Sequence, residues 1–125
     1  MAIAEITNIR GGRKKVKFNK VEIYTFLNEV LGFRYAVLNK EGYYLKNNNG
    51  IYECIIFDEI KYTFRNYIEN NFDSFEFSNQ IKFKDFINEF FAKRPIQDSN
   101  LLKSYLKKNL ELSEENKQLL INYDA

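Results

Sequence analysis

Arg10, Arg13, Lys14, Lys15, Lys17 and Lys20 follow one another with no acid between Glu5 and Glu22. Cations in such a run neutralise phosphates, and each phosphate contact releases counterions, so the run is the electrostatic footprint of a polyanion site. A basic arm kept in water for solubility has the same composition. Gly11 and Gly12 mark a flexible turn inside it. They do not form a phosphate loop, because the required glycine spacing and Lys-Ser/Thr ending are absent.

Other residue groups have the types, but not the company, that catalysis needs. Glu59-Ile60-Lys61 stands behind Glu53 and Asp58, the outline of a magnesium-dependent nuclease site. Glu59, however, falls in the first turn of an expected helix, where an acid simply meets the helix dipole. Asp85, Glu89 and Lys93 recur every four residues, as half of a two-metal carboxylate site or as a solvated helix face. Cys54 is the chain's one cysteine and has no histidine to activate it, because the chain has none. It reads as a small buried apolar residue. Zero histidine also removes the commonest general base and metal ligand. A single cysteine excludes an internal disulfide or a multi-cysteine zinc cage. No catalytic residue, metal ligand or cofactor is therefore assigned, and the chain is expected not to be an enzyme.

Aromatic residues interleave with cations in Phe33-Arg34-Tyr35, Tyr43-Tyr44-Leu45-Lys46 and Lys61-Tyr62 with Phe64-Arg65. On a sheet face, rings stack on bases while cations hold the backbone, so Tyr44, Lys46 and Arg34 are expected to share one binding face. A second source accounts for the same pattern. Lys, Asn, Ile, Tyr and Phe all have AT-rich codons, and a biased genome raises them together.

The elements that must position these groups follow from periodicity. Ala2 to Ile9 alternates weakly, as a short edge strand or an ordered arm, and Val16 and Phe18 alternate with lysines in a second extended piece. Asn19 caps a helix over 20–31, ended by Gly32. Strands follow at 33–38, 43–46 and 51–57, separated by turns at 39–42 and 47–50, which makes a three-stranded antiparallel meander. Asp58 is expected to cap a helix over 59–70. A loop at 71–79, with room for a short strand, precedes a helix starting at Ser78 or Asn79. That helix carries Phe83, Phe86, Phe90 and Phe91, a stripe that belongs to the core or, where exposed, to a protein interface. Arg94-Pro95 ends it. Asp98 or Ser99 caps a fourth helix, and Ser113 opens a short last one.

The fold class is therefore α+β: a helix, a three-stranded antiparallel meander, then three to four helices packed on one face. With 125 residues the chain matches one domain on a prior of about 100–200 residues each. It divides into a basic N-terminal arm (1–18), an α-β-β-β-α unit (19–70) and a helical C-terminal part (80–125). Net charge is +2, but residues 1–40 carry eight basic and three acidic side chains, against seven and ten over 41–100. No stretch approaches the roughly eighteen apolar residues of a membrane span. The first apolar stretch precedes its basic run, the reverse of a signal peptide. A cytoplasmic location is expected.

Asn19-Lys20-Val21-Glu22-Ile23-Tyr24-Thr25-Phe26-Leu27, then Leu31-Gly32-Phe33-Arg34-Tyr35, Gly42-Tyr43-Tyr44-Leu45-Lys46 and Asn49-Gly50-Ile51-Tyr52-Glu53, resemble a region of primase–helicase-type replication proteins of phages and plasmids. The resemblance covers residues 19–70. It implies a small module associated with replication or other nucleic-acid machinery. The helicase phosphate loop and the primase acidic constellation are absent, so catalysis does not carry over.

These observations lead to a non-enzymatic module of phage or mobile-element type that binds phosphate backbone through its basic arm. Arg10, Arg13, Lys14, Lys15, Lys17 and Lys20 form the site, extended by Arg34, Lys46 and Arg65. The alternative is a protein-binding accessory factor, an inhibitor or enhancer of a larger nucleoprotein enzyme such as a CRISPR effector. It would dock its partner, or a second copy of itself as a homodimer, through Phe83, Phe86, Phe90 and Phe91.

Overall fold

Alternation in the first eighteen residues becomes a β-hairpin in the computed structural model, which describes residues 2–123. Strand β1 (Ala4–Asn8) pairs antiparallel with β2 (Lys14–Phe18), in a register running from Ala4 opposite Phe18 to Asn8 opposite Lys14. The connection is a short 3-10 turn at Arg10–Gly12, closed by Ile9 N–H donating to the Arg13 carbonyl at 2.9 Å. Gly11 and Gly12 adopt φ of +82° and +74°, a left-handed region that glycine enters without steric cost. The two-residue period of a strand then sorts the hairpin. Val16 and Phe18 share a face with Ala4 and Ile6 and pack inward, while Lys15 and Lys17 share the other face with Thr7 and Glu5.

Asn19 accepts from the Glu22 N–H at 3.2 Å and starts α1 (Lys20–Glu29). The helix ends two residues earlier than its spacing predicts. The Val30 and Leu31 N–H groups both turn onto the Phe26 carbonyl, and Gly32 follows at φ +76°. The meander is present as β3 (Phe33–Leu38), β4 (Glu41–Asn48) and β5 (Ile51–Ile55). Its turns are tighter than expected. Asn39-Lys40 and Asn49-Gly50 are two-residue loops with both φ positive, so Glu41 and Gly42 join β4.

Helix α2 (Phe57–Asn71) begins before Asp58, which lies with Glu59 in its first turn rather than at its cap. Acids there complement the helix dipole without capping. Residues 72–79 hold two 3-10 turns, Phe72–Ser74 and Glu76–Asn79, and no strand. They aim Phe77 and Ile81 into the core, so α3 (Phe83–Lys93) starts later than Ser78 or Asn79. Helix α4 (Asn100–Leu106) is capped by Ser99, whose hydroxyl accepts from Leu102 N–H at 3.2 Å. Helix α5 (Glu114–Tyr123) follows Ser113.

One buried cluster joins Ile3 and Val16 of the hairpin end to Leu27, Phe33, Phe64, Phe86 and Leu106. The N-terminal segment, the central unit and the helices α3 and α4 are thus built on a shared core. Phe33, Tyr35, Tyr44 and Ile55 turn one face of the meander toward that core. Ala36, Leu45 and Tyr52 form a second cluster on the opposite face, covered by Leu110, Leu112 and Leu120. Helices α1 to α4 gather on the first side, and α5 takes the second. The fold is α+β with two small antiparallel sheets. No helix among the described residues is long and apolar enough to cross a membrane.

Candidate functional site

The hairpin holds its cations out from a fixed base. Val16 is fully buried, and Phe18 meets Phe86 and Phe90 edge-on at centroid distances of 5.5 and 5.9 Å. The Lys93 ammonium donates to the Val16 carbonyl, which pins β2 to the end of α3. On this base Arg10, Arg13, Lys14, Lys15, Lys17 and Lys20 are all exposed. None of them forms an ion pair among the described residues. Lys14 donates to the neutral Asn8 amide oxygen across the strand pair. By contrast Lys61, Arg65, Lys93, Lys103 and Lys117 each have a carboxylate within 4 Å.

Arg34 does not belong to this surface. It pairs with Leu45, on the meander face opposite Tyr44 and Lys46, so the three do not share a face as expected. A slip of one position in parity separates them. Arg34 is only 8% exposed. Its guanidinium donates to the carbonyls of Asn28 at 2.5 Å, Phe33 at 3.0 Å and Asn109 at 3.1 Å. Two of those carbonyls lie at or just beyond the C-terminal ends of α1 and α4, where the helix dipole favours a cation. The buried Asn28 side chain completes the knot. It donates to the Phe33 and Lys108 carbonyls and accepts from the Asn109 amide at 2.7 Å. Arg34 is a strut, not a phosphate ligand. Lys46 is half-buried with its ammonium 5.9 Å from the Phe33 ring centroid, and Arg65 is paired with Glu69 at 3.8 Å.

The meander rings are also engaged. Tyr35 and Tyr44 pack edge-on at 5.0 Å, Lys103 covers Tyr35 at 5.3 Å, and the Tyr44 hydroxyl donates to Asp98 at 2.5 Å. Burial, reinforced by the bond to Asp98 and its charge, pushes the Tyr44 phenol well above its ordinary value. Burial also raises Tyr24, whose hydroxyl donates to the Pro95 carbonyl at 2.9 Å. The phenylalanine stripe divides as well. Phe86 and Phe90 are buried and Phe83 packs partly against the core, so only Phe91, 49% exposed, remains as surface. These rings stack among themselves, as in Phe77 on Phe86 at 4.7 Å, which is why a helix-spaced stripe faces inward.

Two concavities flank the end of α3. A cleft of about 440 Å3 lies among Lys15, Lys17, Lys20, Lys93 and Pro95. A second, of about 540 Å3, lies among Phe57, Lys61, Phe91, Arg94 and Gln97, over a floor of Phe90 and Ile96. Sequence reasoning used Arg94-Pro95 only as a helix stop and so missed this cleft. Its signal is a cation next to an exposed ring at a helix end. Asp58 pairs with Lys61 at 3.1 Å, and Glu89 with Lys93 at 3.5 Å. Among the described residues no group of three or more acidic or cysteine side chains is placed to hold a metal ion. No protein-family model, curated protein or solved structure matches the chain.

Proposed function

We propose that the chain is a small non-enzymatic module that binds the phosphate backbone of nucleic acid through the β1–β2 hairpin. One observation carries this reading. Arg10, Arg13, Lys14, Lys15 and Lys17 of a hairpin anchored to the core, with Lys20 at the start of α1, stand exposed and without an ion-pair partner among the described residues. A chain that only needed charge for solubility has no reason to gather six unpaired cations on one short, anchored stretch. Phosphate contacts use them directly, and they fix no base sequence. The likeness of residues 19–70 to replication proteins points toward the same machinery of phage or mobile-element type.

The accessory-factor reading loses its docking stripe, because Phe86 and Phe90 are committed to the core. Binding to labelled single- and double-stranded DNA and RNA at two salt concentrations separates the two. With all six cations on phosphates, the slope of log affinity against log salt approaches about −5 on duplex and about −4 on single strands. A Lys14→Glu/Lys15→Glu/Lys17→Glu variant abolishes the binding. Absence of any binding at low salt refutes the proposal. Capture of a protein partner that survives half-molar salt turns the assignment to an apolar docking surface.

A further inference from the structure

We infer that the bound nucleic acid is single-stranded, and that it runs from the hairpin lysines over the end of α3 into the Phe57–Phe91 cleft, where a base stacks. This rests on the proposed function and names its substrate class.

The two clefts share one wall. Lys93 and Pro95 line the first, and Arg94 and Ile96, interleaved with them in the chain, line the second. A strand whose phosphates lie on Lys15, Lys17 and Lys20 therefore crosses only this turn to reach the aromatic cleft. Phe91 is exposed although Phe90, beside it, is buried, so the end of α3 keeps one ring in water. Stacking a base on such a ring needs an unpaired base, which a single strand offers and an intact duplex withholds. Arg94, without an ion-pair partner among the described residues, suits a flanking phosphate at the cleft, whereas Lys61 is paired with Asp58 at 3.1 Å. Beside the clefts Glu89 is taken by Lys93, and Asp98 by the Tyr44 hydroxyl and Lys103, while exposed Glu5 lies opposite Lys17 on the hairpin.

Arg94 adds an independent observation. It sits in the left-handed region at φ 47° and ψ 60°, held by its N–H on the Phe90 carbonyl and by Pro95 behind it. Glycine is the inexpensive residue at a left-handed helix end. An arginine there retains a cation at the junction of the two clefts, and strained residues of this kind concentrate at binding sites.

The test uses a labelled oligothymidylate, an oligouridylate, a duplex of equal length and inorganic polyphosphate. The full chain is expected to bind the two single strands more tightly than the duplex. Phe91→Ala, at a half-exposed position, should weaken single-strand binding about tenfold while leaving polyphosphate affinity and the salt slope unchanged. Arg94→Gly relieves the backbone, keeps the fold, and should lower the single-strand salt slope by about one. Equal affinity for duplex and single strand, or a Phe91→Ala variant with unchanged affinity for both oligonucleotides, overturns the inference and leaves the hairpin reading standing. No binding to any of the four probes at low salt overturns both.

Discussion

The two sheets of this protein use arginine and lysine in opposite ways. The hairpin carries cations on exposed positions of a strand whose apolar residues, Val16 and Phe18, hold it down. The meander turns its arginine inward, where Arg34 ties the end of α1, the start of β3 and the chain after α4 through three carbonyls. Both uses obey one rule. A cation left in water is free to meet a phosphate, whereas a buried one must be hydrogen-bonded, and those bonds commit it to the fold. Charge in a sequence therefore says little about a site until the strand parity that exposes or buries it is known.

The largest effect should come from Arg34. Replacement by Met keeps the aliphatic stem but takes the Arg34 donor from the Asn28 and Asn109 carbonyls, while the Phe33 carbonyl keeps the Asn28 side chain. Unsatisfied buried acceptors cost about 1–3 kcal/mol each before relaxation, so a net loss of about 2–4 kcal/mol is expected in denaturant unfolding. Nucleic-acid affinity and its salt slope should not change under conditions where the variant is folded. An Arg34→Met protein of normal stability but weakened binding would break the contrast, because Arg34 would then be acting at the surface.

The hairpin should respond in reverse. Lys15→Met with Lys17→Met removes two charges from the outward face of β2 and touches no buried group. Unfolding should move by less than about 0.5 kcal/mol. The salt slope for nucleic acid should fall by about two. A stability loss comparable to that of Arg34→Met would mean that these lysines are structural and that the hairpin is not a ligand surface.

Most of the fold could be read from local signals, and the site only in part. Asn19 and Gly32 bracketed α1, Asn-Gly marked a meander turn, and Ser99 marked the start of α4, because each acts within a few residues of itself. The phase of Arg34 could not be read, since the rows Phe33-Arg34-Tyr35 and Tyr44-Leu45-Lys46 show cations and rings on both parities. Only the register against β4 sets which parity meets the α1–α4 core. The caps expected of Ser78 and Asn79 failed for a related reason. Burying Phe77 and Ile81 in the core requires tight turns there, and tertiary packing overrode the local cap preference. The Phe57–Phe91 cleft joins residues from two helices and a linker, so no single window of the sequence contains it.

The smallest effect lies on the meander's inner side and appears only in alkali. Tyr44 is held neutral by burial and by Asp98, so its folded pKa stands above the ordinary phenol value. A raised pKa contributes stability that is fully present below the unfolded value, near pH 10, and is lost as pH rises toward the folded one. Above pH 10 the unfolded chain releases the Tyr44 proton while the native protein keeps it, so stability should fall with increasing pH. Tyr44→Phe removes that proton and should flatten the decline by up to one proton per molecule in denaturant midpoints measured between pH 9 and 11. Tyr24, raised in the same direction, remains in the variant and preserves part of the slope. Phenolate absorbance gives the complementary readout, with the Tyr44 and Tyr24 phenols ionising above the ordinary range in the native protein. If Tyr44 instead titrates in the native protein at the ordinary phenol value, the meander face is open to solvent. The division between an outward hairpin and an inward meander would then fail at that residue.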